Sequence, residues 1–258
     1  MMNFLNTHVP NPVAFEILGV SIMWYGVLIG VGALLCAAIV YWRAPRHDIL
    51  SEKTLEIFII CLIAGLIGAR IYYILFNWSH FGGDFMAMIN VRQGGLAVHG
   101  GLILGFLVGY LLTKRLRIEP LNGFDLFAPG VVLAQSIGRW GNFFNSEAHG
   151  GPTDLPWGIL INGELVHPTF LYESILCFVI FWILIFIDNR RTFHGQTFFW
   201  YGVLYSFGRF FIEELRTDSL MLGMFKQAQV ISVLIFIICV ALLVIFSRTK
   251  KLPGRIFY

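Results

Sequence analysis

The chain alternates between long apolar runs and short polar segments, and this alternation predicts its architecture. Seven runs come close to or exceed the length that crosses a bilayer as a helix, which is ~18–20 residues. The fourth run is the weakest, because Asp125 and Pro129 interrupt it. The predicted spans are Ile22–Trp42, Ile57–Phe76, Gly94–Leu112, Leu121–Ile137, Thr169–Ile187, Gln196–Ile212 and Ala228–Phe246. We therefore expect an all-α polytopic membrane protein, one domain over residues 1–258, with a polar loop segment at about 138–168.

Composition also favours a membrane protein over a soluble domain. Hydrophobic residues make up 57% of the chain and charged residues 13%, whereas soluble domains carry about 25% charged residues. Met1–Gly19 lacks a basic start followed by a short apolar run, so we expect no cleavable signal peptide. The cysteines lie inside apolar runs without metal-site or disulfide spacing, so we expect small core residues. They are Cys36, Cys61, Cys177 and Cys239.

The basic residues predict the orientation of the chain. Twelve of the eighteen fall in alternate loops and in the C-terminal tail, which the positive-inside rule assigns to the cytoplasm. They are Arg43, Arg46, Lys53, Lys114, Arg115, Arg117, Arg190, Arg191, Arg248, Lys250, Lys251 and Arg255. We therefore expect the N-terminus outside and the C-terminus in the cytoplasm. The other six lie on the outer side and invite a functional explanation: Arg70, Arg92, Arg139, Arg209, Arg216 and Lys226.

Polar side chains in the outer parts of the spans would gather at one membrane depth. On the sixth span, Tyr205, Arg209 and Glu213 recur every four residues and so share one helix face. Charged groups within spans are costly and usually mark function. Three arginines around a histidine describe an outer-leaflet pocket for an anionic headgroup. The candidates are Tyr25, Arg70, His99, Arg139, Asn142, His167, Tyr172, Glu173, Tyr205, Arg209, Glu213 and Arg216.

Several candidates also have a purely structural interpretation, and small residues suggest close helix packing. The structural interpretations are an aromatic belt for Tyr25, snorkelling for Arg70, an interior histidine for His99, mutual neutralisation of Arg209 and Glu213, and a loop pair of Arg139 with Glu147. Small residues at helix-packing spacing let helices approach closely. The glycines with this spacing are Gly26, Gly30, Gly65, Gly68, Gly101, Gly105 and Gly109.

Motifs spread over nearly the whole chain resemble the prolipoprotein diacylglyceryl transferase family of bacteria. The most specific is G-R-W-G-N-F-F-N-S-E at Gly138–Glu147. The others are W-Y-G at Trp24–Gly26, H-G-G at His99–Gly101, H-P-T-F-L-Y-E at His167–Glu173 and R-x-x-x-E at Arg209–Glu213. H-G-G alone would be a weak signal, but the ten-residue motif is specific to the family.

The resemblance implies an activity, its substrates and a location. It implies transfer of the diacylglyceryl group from phosphatidylglycerol to the lipobox cysteine of a prolipoprotein signal peptide, with a thioether formed and glycerol phosphate released. It also implies seven spans in the bacterial cytoplasmic (inner) membrane and a site that opens on the outer leaflet. We expect the partners to be these substrates and membrane lipid, without nucleic acid. No cluster with metal-ligand spacing occurs in the sequence, so we expect neither metal nor cofactor.

The family's essential residues can be carried over by position. They fall on Tyr25, His99, Arg139, Asn142, Glu147, Gly150, Tyr205, Arg209 and Glu213. We expect phosphatidylglycerol to contact Arg139, Arg209, Arg70, Asn142 and Gly150. Two positions depart from the family pattern. Ser146 stands where the family often has glycine, and Phe170 stands where it often has glutamine, which could alter a hydrogen bond near His167.

The residue types support a mechanism in outline. Arg139 and Arg209 would hold the phosphate and stabilise the charge that grows as glycerol phosphate departs. A thiol with a pKa of about 8.5 needs a base or a positive field to become the thiolate nucleophile. His99 is the candidate base, Glu213 would orient Arg209, and the Gly150–Gly151 region would form a mobile gate. The remaining candidates, Asn142, Glu147 and Tyr205, would position the headgroup.

Other classes of membrane protein fit the sequence less well. A transporter would need broken helices or a polar path across the midplane, and the inner halves of the spans are nearly all apolar. An intramembrane serine protease would need a nucleophile elbow, which is absent. A metal-dependent headgroup transferase would need clustered aspartates, which are also absent. The alternative that remains is a transporter or lipid-binding protein with an outer-leaflet pocket for an anionic headgroup.

Overall fold

The computed structural model describes residues 11–90, 94–161, 163–249 and 252, and helices dominate this part of the chain. Its strands form three antiparallel two-stranded hairpins. In chain order the elements are β1 (Val13–Ile17), β2 (Val20–Met23), α1 (Trp24–Arg43), a 3₁₀ turn (Ala44–His47), α2 (Ser51–Phe76), α3 (Trp78–Phe81), α4 (Phe85–Ile89), α5 (Val98–Arg115), α6 (Pro120–Phe144), β3 (Ile159–Ile161), β4 (Glu164–Val166), α7 (Thr169–Asn189), α8 (Gln196–Leu215), β5 (Met221–Leu222), β6 (Phe225–Lys226) and α9 (Gln227–Thr249).

The long helices overlap the predicted spans. Among the described residues, seven helices have at least 18 residues, one for each predicted span. By length and composition, 4 segments are apolar enough to cross a membrane: Trp24–His47, Ser51–Phe76, Thr169–Asn189 and Gln227–Thr249. The protein is therefore a helical, multi-pass membrane protein, as the hydrophobic pattern predicted.

Two helix boundaries differ from the prediction in ways that bear on function. Helix α1 begins at Trp24 rather than Ile22, because Val20–Met23 pairs with β1 instead. Helix α6 continues to Phe144, so most of the ten-residue motif at Gly138–Glu147 is helical rather than part of a loop. The helix is followed by Ser146 and Ala148 at positive φ, a conformation that no helix continues through.

The chain divides into two compact units, one made of residues 1–39 and 124–258 and the other of residues 40–123. In the second unit, α2 and α5 cross closely at the glycines predicted to pack. A Cβ at Gly68 would lie 2.5 Å from the carbonyl oxygen of Gly100, and one at Gly101 would lie 3.1 Å from that of Gly65. Asn122 anchors the turn before α2, because its side chain donates to the carbonyl of the buried His47 at 2.8 Å.

The first unit contains most of α1 and α6 and all of α7, α8 and α9. Ala128 and Val132 of α6 pack with Cys177, Ile180 and Leu184 of α7 in a buried core. This placement confirms Cys177 as a core residue.

The predicted glycine contact on α1 is wrong. A Cβ at Gly26 or Gly30 would meet nothing within 4 Å among the described atoms. The close approach on this helix is at Gly32 instead, where a Cβ would lie 3.2 Å from the backbone of Ala134 on α6.

Asp125, the charge that weakens the fourth span, has a structural role. It is fully buried, and its carboxylate accepts from the backbone N–H of Gly195 at 2.7 Å and of Phe198 at 2.9 Å. It also pairs with Arg191 at 3.2 Å. A carboxylate at a helix N-terminus satisfies donors that have no partner within the helix. Asp125 therefore fixes the start of α8 against α6.

Candidate active site

A reciprocal serine contact sets the distance between α6 and α7. The hydroxyl of Ser136 donates to the carbonyl of Ser174, and the hydroxyl of Ser174 donates to that of Ser136, each at 2.8 Å. The indole N–H of Trp140 also donates to the Ser174 hydroxyl, at 3.1 Å. Hydrogen bonds between small polar residues join helices in an apolar environment. They fix the relative position of two nearby residues, Arg139 on α6 and Glu173 on α7.

Arg139, Glu173, Arg209 and Glu213 form a chain of alternating charge across three helices. One oxygen of Glu173 lies 2.6 Å from Arg139 Nη2, and the other lies 2.7 Å from Arg209 Nη1. The second terminal nitrogen of Arg209 lies 2.6 Å from Glu213 on the next helical turn. The structure thus brings Arg139, Arg209 and Glu213 together, and Glu173 lies between the two arginines.

Tyr205 belongs to the same cluster. Its hydroxyl donates to Glu173 Oε1 at 2.7 Å, so this carboxylate oxygen serves both Tyr205 and Arg139. The predicted face of α8 is therefore confirmed, since Tyr205, Arg209 and Glu213 all join one cluster. The sequence placed Glu173 among the outer polar residues without giving it a role, and only the three-helix arrangement shows its central position.

A longer ion-pair contact extends this series of charged side chains toward the loop after α8. Arg216 Nε lies 4.0 Å from Glu213, and its guanidinium makes two hydrogen bonds to Asp218, at 2.9 and 2.7 Å. The hydrogen bond from Arg216 lowers the pKa of the Asp218 carboxyl. Asp218 therefore stays ionised and keeps Arg216 paired at neutral pH.

Asn142 and Glu147 form a separate polar pair at the end of α6. The carboxylate of Glu147 accepts from the side-chain amides of Asn142 at 3.0 Å and Asn145 at 3.3 Å. The alternative of an Arg139–Glu147 loop pair is wrong, because Arg139 pairs with Glu173 instead. Since Asn142 follows Arg139 by three residues on one helix, its amide faces the same side as the guanidinium.

Tyr25 packs on the same stretch of α6. A Cβ at Gly141 would overlap the Tyr25 ring, so only glycine fits there. The neighbouring Trp24 ring stacks on Phe144 with centroids 5.0 Å apart and planes 18° apart. The contact of Tyr25 with Gly141 and the stacking of Trp24 on Phe144 together join the start of α1 to the end of α6. Tyr25 is therefore held beside the motif rather than standing alone in an aromatic belt.

The Gly150–Gly151 segment is hydrogen bonded on both sides, which argues against a mobile gate. Gly150 N–H donates to the His167 carbonyl at 2.8 Å, His167 N–H to Gly151 at 3.0 Å, and Gly151 N–H to Leu215 at 3.0 Å. A Cβ at Gly150 would lie 2.7 Å from His167 Cβ and 2.8 Å from the Leu215 carbonyl oxygen. Gly150 therefore links the end of α8 to the segment before α7, and its N–H is already used.

Phe170 lies in an apolar core rather than beside a polar ligand. It is buried with Ile159, Ile161 and Val166 of the β3–β4 hairpin. Its ring centroid lies 5.1 Å from that of Phe143 on α6. Phe170 thus joins the β3–β4 hairpin to α6 by apolar and aromatic packing. His167 Nδ1 keeps a polar partner nearby, the Tyr172 hydroxyl at 3.3 Å.

His99 lies in the second unit, in the first turn of α5. Its ring stacks with that of Tyr72 on α2, at a centroid distance of 6.1 Å. The following glycine sits at the closest point of the α2–α5 crossing, where a Cβ on Gly100 would overlap the backbone of Gly68. The crossing fixes the backbone that carries His99.

Arg70, also in the second unit, is fully engaged by backbone carbonyls. A guanidinium has five N–H donors, and each has a carbonyl acceptor here. The acceptors are Ala87 (2.8 Å), Met88 (2.7 Å), Asn90 (2.8 Å), Gly94 (2.9 Å) and Gly95 (2.9 Å). The assignment of Arg70 to a lipid phosphate stays a prediction, and these hydrogen bonds weigh against it and against snorkelling to headgroups. Arg70 instead fixes the loop around α4.

Lys226 has a similar structural role in the first unit. Its ammonium donates to the carbonyls of Glu213 and Glu214 at 2.9 Å and of Arg216 at 3.0 Å. A cation at these last carbonyls complements the C-terminal end of a helix. Of the six outer basic residues, Arg92 lies outside the described residues. Of the other five, Arg139 and Arg209 both lie within 2.7 Å of one buried carboxylate, that of Glu173.

The described His, Cys, Asp and Glu side chains form no candidate metal centre. Within the ranges that the structure describes, no group of three or more His, Cys, Asp or Glu side chains could hold a metal ion. The carboxylates of the charge chain are paired with arginines instead. Independence from metal remains a prediction.

Comparisons with known proteins converge on one family. The family model described as prolipoprotein diacylglyceryl transferase matches residues 12–245. A relative from Clostridioides difficile (strain 630), named phosphatidylglycerol–prolipoprotein diacylglyceryl transferase, is 52% identical over 222 residues, which cover 86% of this chain and 90% of the relative. A relative of the same name from Clostridium novyi is 47% identical, over 93% of this chain and 97% of its own length. Another, from Finegoldia magna, is 42% identical, over 92% of this chain and 96% of its own length.

Proposed function

This chain belongs to the prolipoprotein diacylglyceryl transferase family, and we propose that it transfers the diacylglyceryl group of phosphatidylglycerol to a prolipoprotein. The acceptor is the thiol of the lipobox cysteine. The observation that carries the proposal is the pair of arginines, Arg139 and Arg209, on one buried carboxylate. The alternative of a transporter or lipid-binding protein is not favoured, because the relatives are named as transferases.

In the proposed reaction, one bond forms and one breaks at the same carbon. The thiol proton passes to a base, and the sulfur attacks the glyceryl carbon that carries the phosphate. A carbon–sulfur bond forms while the carbon–oxygen bond to phosphate breaks, and the bonding pair leaves on the phosphate oxygen. The products are the thioether and glycerol phosphate. Negative charge grows on the departing phosphate, where guanidinium donors stabilise it best.

The side chains of the first unit supply the proposed binding functions. Arg139 and Arg209 contact the phosphate, and the 2.6 Å contact of Glu213 with Arg209 supports an orienting role. The other positioning residues are Tyr25, Asn142, Glu147 and Tyr205. Gly150 contributes through close packing rather than by binding lipid, because its N–H already has an acceptor. His99 is the proposed thiol base on the strength of its motif and its side-chain chemistry alone.

We also propose the topology that the basic residues indicate. All seven long helices span the inner membrane as one transferase domain, with the N-terminus outside and the C-terminus in the cytoplasm. The site then opens on the outer leaflet, and residues 138–168 contribute its outer wall. The twelve-to-six division of basic residues supports this orientation.

Cysteine labelling tests the topology. On intact cells, an impermeant thiol reagent is expected to label a cysteine at exposed Ser79 or Asp154, and to leave one at exposed Asp48 or Thr192 unlabelled. The parent protein is the control, since its own four cysteines are largely buried or lie within apolar helices. Labelling of the Asp48 variant from outside would contradict the orientation, provided the cells remain sealed.

The role of Arg70 gives a second prediction. Arg70→Lys is expected to lower the unfolding temperature by about 5 °C or more, because a lysine has three donors where the loop uses five. The KM for phosphatidylglycerol should stay within about twofold of wild type, since Arg70 has no donor left for phosphate. Thermal unfolding in detergent and initial rates measure the two effects. Arg248→Lys on exposed α9 is the matched control, and a large KM change without loss of stability would contradict this role.

The proposed activity is tested with purified protein, phosphatidylglycerol and a peptide that contains one lipobox cysteine. The peptide mass should rise by that of a diacylglyceryl group, and a peptide with serine in place of the cysteine should stay unmodified. Absence of modified peptide under conditions where a family relative is active would contradict the proposal.

A further inference from the structure

Glu173 is the most buried side chain among Arg139, Glu173 and Arg209, and no role could be assigned to it from the sequence. Its side chain is 2% exposed, whereas those of Arg139 and Arg209 are 26% and 13% exposed. Each carboxylate oxygen contacts one arginine, at 2.6 and 2.7 Å, and Tyr205 donates to one of them. A ligand that enters from the exposed side therefore meets the two guanidinium groups before it meets Glu173.

We propose that Glu173 is a positioning residue and counterion: it fixes Arg139 and Arg209 for the lipid phosphate and limits their affinity for the phosphate product. The inference rests on the transferase function proposed above. Glu173 does not touch the reacting atoms but acts through the two arginines.

The positioning part follows from geometry. The serine contact between α6 and α7 holds the backbone of Glu173 beside that of Arg139. With one guanidinium fixed on each oxygen, the remaining N–H donors of both arginines keep a set spacing. Catalysis by prearranged donors depends on such spacing, and a displacement of about 1 Å can cost about a hundredfold in rate.

The counterion part follows from charge. Arg139 and Arg209 are balanced formally by Glu173 and Glu213, which contact them in the structure. Glycerol phosphate is a phosphate monoester with up to two negative charges, whereas the phosphodiester of phosphatidylglycerol has one. An unbalanced arginine pair would bind the product strongly and release it slowly. The buried negative charge of Glu173 opposes this retention.

Two substitutions separate the two parts. Glu173→Gln keeps the length of the side chain but removes its charge. We expect kcat to fall at least about tenfold and glycerol phosphate to inhibit at about a tenfold lower concentration, which corresponds to ~1.4 kcal/mol. Glu173→Asp keeps the charge but is one methylene shorter, so it cannot reach both arginines. Its kcat should also fall at least about tenfold, with the inhibition constant within about twofold of wild type.

The inhibition constant distinguishes this role from a merely structural one. A variant that only folds less well would lose kcat through a smaller active fraction and keep the wild-type inhibition constant. Glu52→Gln, at an exposed position in the first turn of α2, is the matched control and should behave as wild type. If Glu173→Gln does not accumulate, the kcat of Glu173→Asp per folded protein decides, because a smaller folded fraction does not change it, and a wild-type value would overturn the inference.

Failure of the role proposed for Glu173 can be distinguished from failure of the proposed function. If the wild-type protein forms no thioether, the transferase assignment fails. If the wild type is active and Glu173→Gln keeps its kcat and its inhibition constant, only the role of Glu173 fails.

Discussion

Replacing Arg139 with lysine is expected to lower the rate of thioether formation about a hundredfold or more. Lysine keeps the positive charge but lacks the planar fork that can contact Glu173 and a phosphate together. Removing one donor from a site that stabilises developing charge typically costs about 10²–10³ in kcat. In this chain Arg139 Nη2 lies 2.6 Å from Glu173, so a shorter, rounder cation would also disturb Arg209.

Initial rates at several phosphatidylglycerol concentrations measure this effect. The loss should appear mainly in kcat, because the arginine acts most strongly as the phosphate departs. Arg248→Lys on α9, far along the chain from the motif, is the control and should keep wild-type kinetics. A near-native kcat for Arg139→Lys would contradict the role of its guanidinium in the transfer.

Replacing Gly141 with alanine is expected to lower activity about tenfold to a hundredfold, whereas Gly138→Ala should have little effect. Both glycines lie on α6 within the same motif. A Cβ at Gly141 would overlap the Tyr25 ring, while one at Gly138 would meet nothing within 4 Å. Overpacking of this kind costs about 1–3 kcal/mol, and the displaced ring would loosen the contact between α1 and α6.

Gly138→Ala is the control for Gly141→Ala, because both replace a glycine of the same helix with alanine. Alanine favours a helix over glycine by about 1 kcal/mol at either position, so a difference between them reports the contact with Tyr25. The activity and the unfolding temperature in detergent should both fall for Gly141→Ala and stay close to wild type for Gly138→Ala. Equal behaviour of the two variants would contradict the packing of Tyr25 on this helix.

The helical architecture could be predicted from the sequence because long apolar runs favour helices, even where polar residues interrupt the run; among the described residues, four of the long helices are apolar enough to cross a membrane. Each predicted span overlaps one long helix among the described residues. The boundaries were harder to predict where two local structures compete. Gly138–Phe144 contains two glycines and one amide, residue types typical of a loop, yet the contacts of Ser136 and Trp140 with α7 accompany a helix here.

The candidate site could be predicted in part. The four-residue spacing on α8 placed Tyr205, Arg209 and Glu213 on one face, because helix periodicity is local. The partner of each arginine is a matter of tertiary structure. Arg70 and Arg139 are both outer arginines beside glycines, but one meets backbone carbonyls and the other the Glu173 carboxylate. Charge and membrane depth do not distinguish these two environments.

The fate of phosphorus distinguishes attack at carbon from attack at phosphorus. Soft sulfur should attack carbon, so we expect the whole phosphate to leave with the soluble product. Purified protein would be given phosphatidylglycerol with radiolabelled phosphorus and a lipobox peptide, with and without EDTA. All released label should appear as glycerol phosphate, in equal amount to the thioether peptide, and EDTA should change neither. Label retained on the peptide, or activity lost in EDTA and restored by a divalent cation, would contradict the account.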